Sequence, residues 1–231
     1  VWDRIPGGLK QVSVGADGET WGVSASDEIY RYTPGNWVIM PGNLRQISVG
    51  SAQQVWGTNA NNDILRWTGS TWDQVPGGLK QVSAAGDGTV WGVNHTDDVY
   101  RYDPGSNSWH VVAGKLTQIA VASAQEILGI NADGQAYRWL GGEFTYSTDG
   151  LKHIAVGADV SLWGLQPDGT ILHWANGGWE AIDGRMRQIS VGTGTDVWGV
   201  NDNDEIYRYN SGPAWEGPNV VGNGFDKYQH I

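Results

Sequence analysis

Leu9-Lys10-Gln11-Val12-Ser13-Val14-Gly15 decides the fold, because the same heptad returns as Leu44-Arg45-Gln46-Ile47-Ser48-Val49-Gly50 and again from Leu79, Leu116, Leu151 and Met186. A period of roughly 35 residues held over six copies marks a repeat architecture, in which one small unit buries its apolar faces only against its neighbours. Working outward, each heptad is followed by a second run: Trp21-Gly22-Val23, Trp56-Gly57-Thr58, Trp91-Gly92-Val93, Leu128-Gly129-Ile130, Trp163-Gly164-Leu165 and Trp198-Gly199-Val200. A third run is typified by Ile29-Tyr30-Arg31-Tyr32 and Ile64-Leu65-Arg66-Trp67. A fourth opens on an aromatic residue, at Trp2, Trp37, Trp72, Trp109, Phe144, Trp179 and Trp215.

Short apolar runs separated by Asp-Gly, Asn-Asp, Pro-Gly and Gly-Gly read as antiparallel strands joined by tight hairpins. Strands such as Val99-Tyr100-Arg101-Tyr102 are apolar at most positions, so both faces of each sheet are covered. Sheets stacked radially about an axis satisfy that requirement, and the expected fold is an all-β, six-bladed β-propeller with four-stranded antiparallel blades. Seven fourth-strand candidates stand against six copies of the other three. Trp2 to Gly8 matches Trp72 to Gly78 closely, whereas Gly217 and Pro218 would spoil a strand after Trp215. Residues 1–8 are therefore expected to complete the blade begun by residues 185–210. The chain reads as a single propeller over 1–231, with repeats starting near 9, 44, 79, 116, 151 and 186 and a tail at 211–231.

Composition narrows function. The chain of 231 residues carries 35 Gly, 14 Trp and no Cys, with a formal net charge of −11. Thiolate nucleophiles and thiolate metal sites are excluded. No basic cluster offers itself to nucleic acid or anionic lipid, and no apolar run has the length of a membrane span, so neither nucleic-acid binding nor membrane insertion is expected. The opening residues belong to the repeat and not to a signal peptide, which points to a cytoplasmic protein that acts on extracellular surfaces after release.

Three sets of repeated side chains could carry binding. The aromatics of the second and third strands, Trp67, Tyr102 and Tyr209 among them, wedge between blades or emerge at a groove to stack on sugar C–H faces. The third-strand arginines Arg66, Arg101 and Arg208 sit between aromatics and need an acceptor, for which the aspartates of the preceding hairpin are the candidates; the same fork could donate to sugar hydroxyls. The hairpins between second and third strands carry Asn59 and Asp63, Asn94 and Asp98, and Asn201 and Asp204, residues equally at home in a turn and against adjacent sugar hydroxyls. With the facing Gly7, Gly8, Lys10, Gly42, Arg45, Gly77, Gly78 and Lys80, these loops are the preferred binding grooves, with the donors and acceptors that a glycan would need. Asn201-Asp202-Asn203-Asp204-Glu205 lacks the sixth-position Gly and distal Glu of a calcium loop, so no metal or other cofactor is expected. No carboxylate dyad, Ser/His/Asp set or His-Glu-x-x-His stands outside the repeat, and the chain reads as a non-enzyme.

The unit Trp-x-x-Val/Ile-Pro-Gly-Gly-Leu-Lys-Gln-Val-Ser-Val-Gly, followed by Val-Trp-Gly-Val-Asn and Ile-Tyr-Arg-Tyr, resembles the tectonin repeat over residues 1 to about 215. A stand-alone six-repeat chain is similar to the fungal tectonin lectins and, more distantly, to the tachylectin of the same repeat family. The resemblance implies a multivalent, carbohydrate-binding lectin with O-methylated mannose or fucose of bacterial and nematode surfaces as its ligand class, and a role in defence by agglutination. Leu128, Ala136, Phe144 and His173 depart from the repeat and imply weak or absent binding in the fourth and fifth repeats. The alternative is a protein–protein interaction propeller scaffold. The apolar residues Val220, Val221, Phe225 and Tyr228 of the tail suit either a cap or a homo-oligomer contact.

Overall fold

The computed structural model describes residues 1–210. It is an all-β, six-bladed propeller in which every blade is a four-stranded antiparallel sheet, lettered A to D from the axis outward. In blade 1 the strands are Gln11–Val14, Thr20–Val23, Glu28–Thr33 and Asn36–Asn43. Blades 2 to 5 follow over residues 46–78, 81–115, 118–148 and 153–185. Blade 6 takes strands A to C from Gln188–Thr193, Asp196–Val200 and Ile206–Tyr209, and its D strand from Trp2–Ile5 at the start of the chain. The register Trp2↔Tyr209 to Ile5↔Ile206 welds the two ends together. The tail at 211–231, including Trp215, lies outside the described residues.

The heptad explains itself at the axis. Each A-strand Gln spans to the next blade and clamps one peptide there: Gln11 donates to the carbonyl of Ile47 at 3.0 Å and accepts from its N–H at 2.9 Å. Gln46 repeats this on Val82, Gln81 on Ile119, Gln118 on Ile154 and Gln188 on Val12. The exception is His153, which reaches Ile189 O at 2.8 Å with one ring nitrogen. Two residues on, Ser13, Ser48, Ser83 and Ser190 accept from the backbone N–H of Val49, Ala84, Val121 and Val14 in the neighbouring blade. Ala120 and Ala155 hold that position in blades 4 and 5. Inner strands with no ladder partner toward the axis thus satisfy their polar backbone through side chains.

The Trp-Gly pair is equally specific. A Cβ on Gly22 would lie 2.9 Å from Gln11 O and on top of the Leu9 side chain, and the same holds for Gly57 beneath Leu44 and Gly92 beneath Leu79. The heptad leucine can therefore cap the B strand only where that strand has no side chain. The adjacent Trp turns outward between blades, where Trp56 meets Tyr102 at 5.0 Å and Trp109 at 6.4 Å, edge to face. Equivalent triangles join Trp21 to Trp67 and Trp72, and Trp163 to Tyr209 and Trp2. Such pairs add about 0.5–1.5 kcal/mol each beyond the area they bury. Leu128 breaks the series between blades 4 and 5, and there Trp174 is left 42% exposed.

Candidate functional site

Each D strand ends in a turn that crosses to the next A strand, and that crossing shapes a groove between blades. Pro76, Gly77, Gly78 and Leu79 run past Tyr100, Ser108 and Trp109 of blade 3, enclosing a cleft of about 340 Å³. Gly77 has a φ of 124°, a region that L side chains avoid, and a Cβ there would stand 3.1 Å from Trp109 Cδ1. Gly7 lies in the same way against Trp37, Gly42 against Trp72, Gly114 against Phe144 and Gly184 against Trp2. The missing side chains are thus used up in seating the ring, and the groove is the space beside that contact. Trp37 and Trp72 donate their indole N–H to the carbonyls of Pro6 and Pro41, at 3.1 and 2.8 Å, which fixes the ring planes.

The groove's polar edge comes from the C strand. Tyr30, Tyr137 and Tyr207 donate to Glu28, Gln135 and Glu205 at 3.1 to 3.2 Å, while Tyr100 accepts from Asn94 at 3.4 Å. Burial, and then the neighbouring carboxylate, push the Tyr30 and Tyr207 hydroxyls up from the usual phenol value, so both stay protonated donors. Asn201 first and Tyr207 next hold the Glu205 carboxyl below its usual value. An aromatic wall, a glycine floor and a hydroxyl–carboxylate edge can cover an apolar C–H face and exchange hydrogen bonds with vicinal hydroxyls. Leu65 and Leu172 replace the tyrosine in blades 2 and 5, so the hydroxyl occurs in four blades, and in blade 4 the Gln135 amide stands in for the carboxylate.

The residues expected from sequence divide among several places. Gly77 and Gly78 are in the groove, and Gly7, Gly8 and Gly42 occupy the equivalent turns. Asn94 accepts from the N–H of Thr96 and of Asp98 and donates to the Asp98 carboxylate, so its amide is committed to the hairpin. Asn59 does the same with Asn61 and Asp63, and Asn201 with Asn203 and Glu205. The Lys115 ammonium, then Thr96 and Asn94, draw the Asp98 carboxyl down to about 2. Lys10 pairs with Asp27, Lys80 with Asp97 and Arg187 with Asp204. Trp67, Tyr102 and Tyr209 stack within the inter-blade triangles.

The arginines correct the expected pairing. Arg31 binds Glu19 at 2.5 Å, Arg138 binds Glu126, and Arg208 binds Asp196 at 2.9 Å, each acid standing 12 residues upstream at the head of the B strand and not in the B–C hairpin. The reason is register: Trp21↔Arg31 and Trp198↔Arg208 are cross-strand neighbours, which carries the guanidinium over the indole and toward the opposite end of the blade. Arg66 lies over Trp56 in the same manner, and Arg101 is exposed. A cleft of about 530 Å³ at that end is lined by Glu19, Arg31, Tyr32, Asp196, Trp198 and Arg208 among others. Sequence reading missed Tyr30, Tyr100, Tyr137 and Tyr207 as groove residues. The signal was present, because each lies two positions before the C-strand aromatic and so shares its face. Among the described residues no cluster of three His, Asp or Glu side chains is placed to hold a metal ion. Among the same residues no helix is long and apolar enough to cross a membrane.

The fold is a six-bladed β-propeller with an inter-blade cleft at Trp109, and the glycine turn, aromatic ring and tyrosine that line it recur in blades 1, 4 and 6. The family model of the Tectonin domain matches residues 1–143 and 126–227, and the chain belongs to the tectonin family. Membership is consistent with carbohydrate binding. No curated protein sequence matches the chain. Among solved structures it is similar to YCF48 bound to D1 peptide, with a TM-score of 0.59 at 13% identity over 94% of this chain and 96% of that one. A gluconolactonase from Xanthomonas campestris gives a TM-score of 0.65 at 11% identity over 90% and 86%. YCF48 from Cyanidioschyzon merolae gives 0.55 at 15% identity over 90% and 88%. At these identities the likeness is one of fold.

Proposed function

We propose that the protein is a multivalent, non-catalytic lectin whose inter-blade grooves each take one neutral sugar residue. The observation that carries this reading is the recurrence of one chemical set, a glycine turn against an aromatic wall with a tyrosine hydroxyl beside it, at Gly7/Trp37/Tyr30, Gly77/Trp109/Tyr100, Gly114/Phe144/Tyr137 and Gly184/Trp2/Tyr207. A catalytic site would concentrate unique acids at one place, whereas this set repeats around the ring. A scaffold for protein partners would diversify its loops; here the Asn-centred hairpin and the glycine turn are reused. The finer assignment is O-methylated mannose or fucose on bacterial or nematode surfaces, since a methyl ether suits the apolar wall while free hydroxyls suit the tyrosine edge. Several weak sites on one rigid ring raise effective concentration on a glycan-coated surface, which supports agglutination and defence. We place the protein in the cytoplasm before release, and assign the tail at 211–231, outside the described residues, to self-association.

Titration calorimetry with methyl α-mannoside and its 4-O-methyl derivative tests the reading. The expected stoichiometry is well above one sugar per chain and near the four tyrosine-bearing grooves. Tyr100→Phe should lower the apparent number of sites without changing the melting temperature, because its hydroxyl makes only one long bond in the free protein. A stoichiometry of one, or no binding to either sugar, overturns the repeated-groove reading.

A further inference from the structure

The residue just ahead of each clamp glutamine or His153 is the first outside the channel lining, and around the ring it reads Lys10, Arg45, Lys80, Thr117, Lys152 and Arg187. Five of these six positions are cationic in a chain of net charge −11. In blades 1, 3 and 6 a local partner accounts for the charge, since Lys10, Lys80 and Arg187 each pair with the aspartate 17 residues further on. Blades 2 and 5 carry Asn62 and Gly169 at that place, yet keep Arg45 and Lys152. Among the described residues neither of these side chains makes an ion pair or a side-chain hydrogen bond. The cation therefore persists where the hairpin that it would hold has lost its acid.

Arg45 and Lys80 face a cleft of about 420 Å³ at the channel mouth, together with His95, Thr117 and the clamp glutamines of three blades. Among the described residues no carboxylate lines it. The glutamine amides are committed to neighbouring backbone, the Thr117 hydroxyl to the Ile130 carbonyl and the Lys80 ammonium to Asp97, which leaves the Arg45 fork, with the His95 ring beside it, as the donor open to a ligand. A planar guanidinium with no ion-pair partner among the described residues, beside a lysine already neutralised by Asp97, carries the one uncompensated charge of this cleft and is suited to a carboxylate or phosphate group. We propose that this cleft is an oxyanion-binding site, one per chain, separate from the repeated grooves and independent of what they bind.

The test is titration of the full chain, at low ionic strength, with sodium pyrophosphate and separately with glucuronate. Saturable binding of one anion per chain is expected for at least one probe; the stronger probe tells phosphate from carboxylate ligands. Arg45→Gln should weaken that binding about ten-fold, Arg45→Lys should retain most of it, and both should melt like the parent because Arg45 has no partner to lose. Arg4→Gln, which removes a cation paired with Glu205 at the outer edge of blade 6, should leave it unchanged. Binding of the mannosides should not compete. Absence of saturable binding to both probes, or equal affinity in the parent and Arg45→Gln, overturns the proposal.

Discussion

His153 is the residue on which the axis is weakest. It stands where the other five blades have a clamp glutamine, giving Ile189 O one bond through Nε2 and accepting from Gln118 through Nδ1 at 3.1 Å. That pattern fits the neutral ring with its proton on Nε2, and a second proton on Nδ1 would face an amide N–H₂. Although its ring edge meets the narrow bore, protein encloses it, and burial pushes its pKa down to about 4 from the ordinary 6.5. The unfolded chain then binds the extra proton more readily than the folded one. Stability should be full above about pH 6.5 and fall as pH drops toward 4, by at most about 3 kcal/mol and less where water in the bore screens the charge. His153→Gln should restore a two-bond clamp and flatten the melting temperature between pH 7 and 4.5; an unchanged slope would assign acid sensitivity elsewhere. Asn94 makes a complementary case. Its polarity reads from sequence as a sugar contact or a turn, and the structure commits it to two backbone N–H groups, so Asn94→Ala should cost about 1–3 kcal/mol of stability by denaturant melting. What sequence could not supply was the partner of each polar group: the arginine acids lie 12 residues upstream because register, not proximity along the chain, brings them together.

At the level of elements, the hairpins between A and B strands alternate in a way that a reading of six equal repeats passes over. Asp17 of blade 1 accepts from Ala52 N of blade 2 at 2.9 Å, Asp87 of blade 3 from Ala124 N of blade 4 at 2.9 Å, and Asp159 of blade 5 from Gly194 N of blade 6 at 2.8 Å. The even blades carry no such aspartate at the matching place; Gly50-Ser51-Ala52-Gln53-Gln54 stands opposite Gly15-Ala16-Asp17-Gly18-Glu19. Blades are thus latched as 1 with 2, 3 with 4 and 5 with 6, over and above the clamps that join all neighbours. Burial raises the Asp87 carboxyl, but the N–H groups of Thr89 and Ala124 outweigh it and the net shift is downward, as expected for an anion held by backbone donors. Asp87→Ala should lower stability by about 1–3 kcal/mol in chemical denaturation, since the Ala124 N–H loses its acceptor, and a change below a few tenths would show the latch to be solvent-exchanged. Strand order and blade count were legible because the period, the short apolar runs and the turn residues between them survive in sequence. The latches were not, because a hydrogen bond between hairpins of different blades leaves no periodic trace.

Across the whole molecule the decisive contact is the one between the two ends of the described chain. Among the described residues Trp2–Ile5 supplies the only partner on the outer side of Ile206–Tyr209, and Trp2 completes the ring triangle with Trp163 and Tyr209. Deleting residues 1–8 should therefore bare a strand edge and an aromatic pair together, giving a lower melting temperature and growth of light scattering on warming; a truncated chain that melts like the parent would mean that this weld contributes nothing. The clamp of Gln188 on Val12 closes the inner circle between blades 6 and 1, so inner and outer closure both wait for the last repeat. That order has a consequence on the ribosome. Residues 2–5 leave the exit tunnel some two hundred residues ahead of the strand they pair with, on the order of 10–40 s of synthesis at ordinary elongation rates. During that interval an aromatic-bearing strand has no sheet to join, and the nascent propeller is an open arc with an unpaired blade face at each end. The yield of closed rings is then expected to rise when those two faces are shielded during translation.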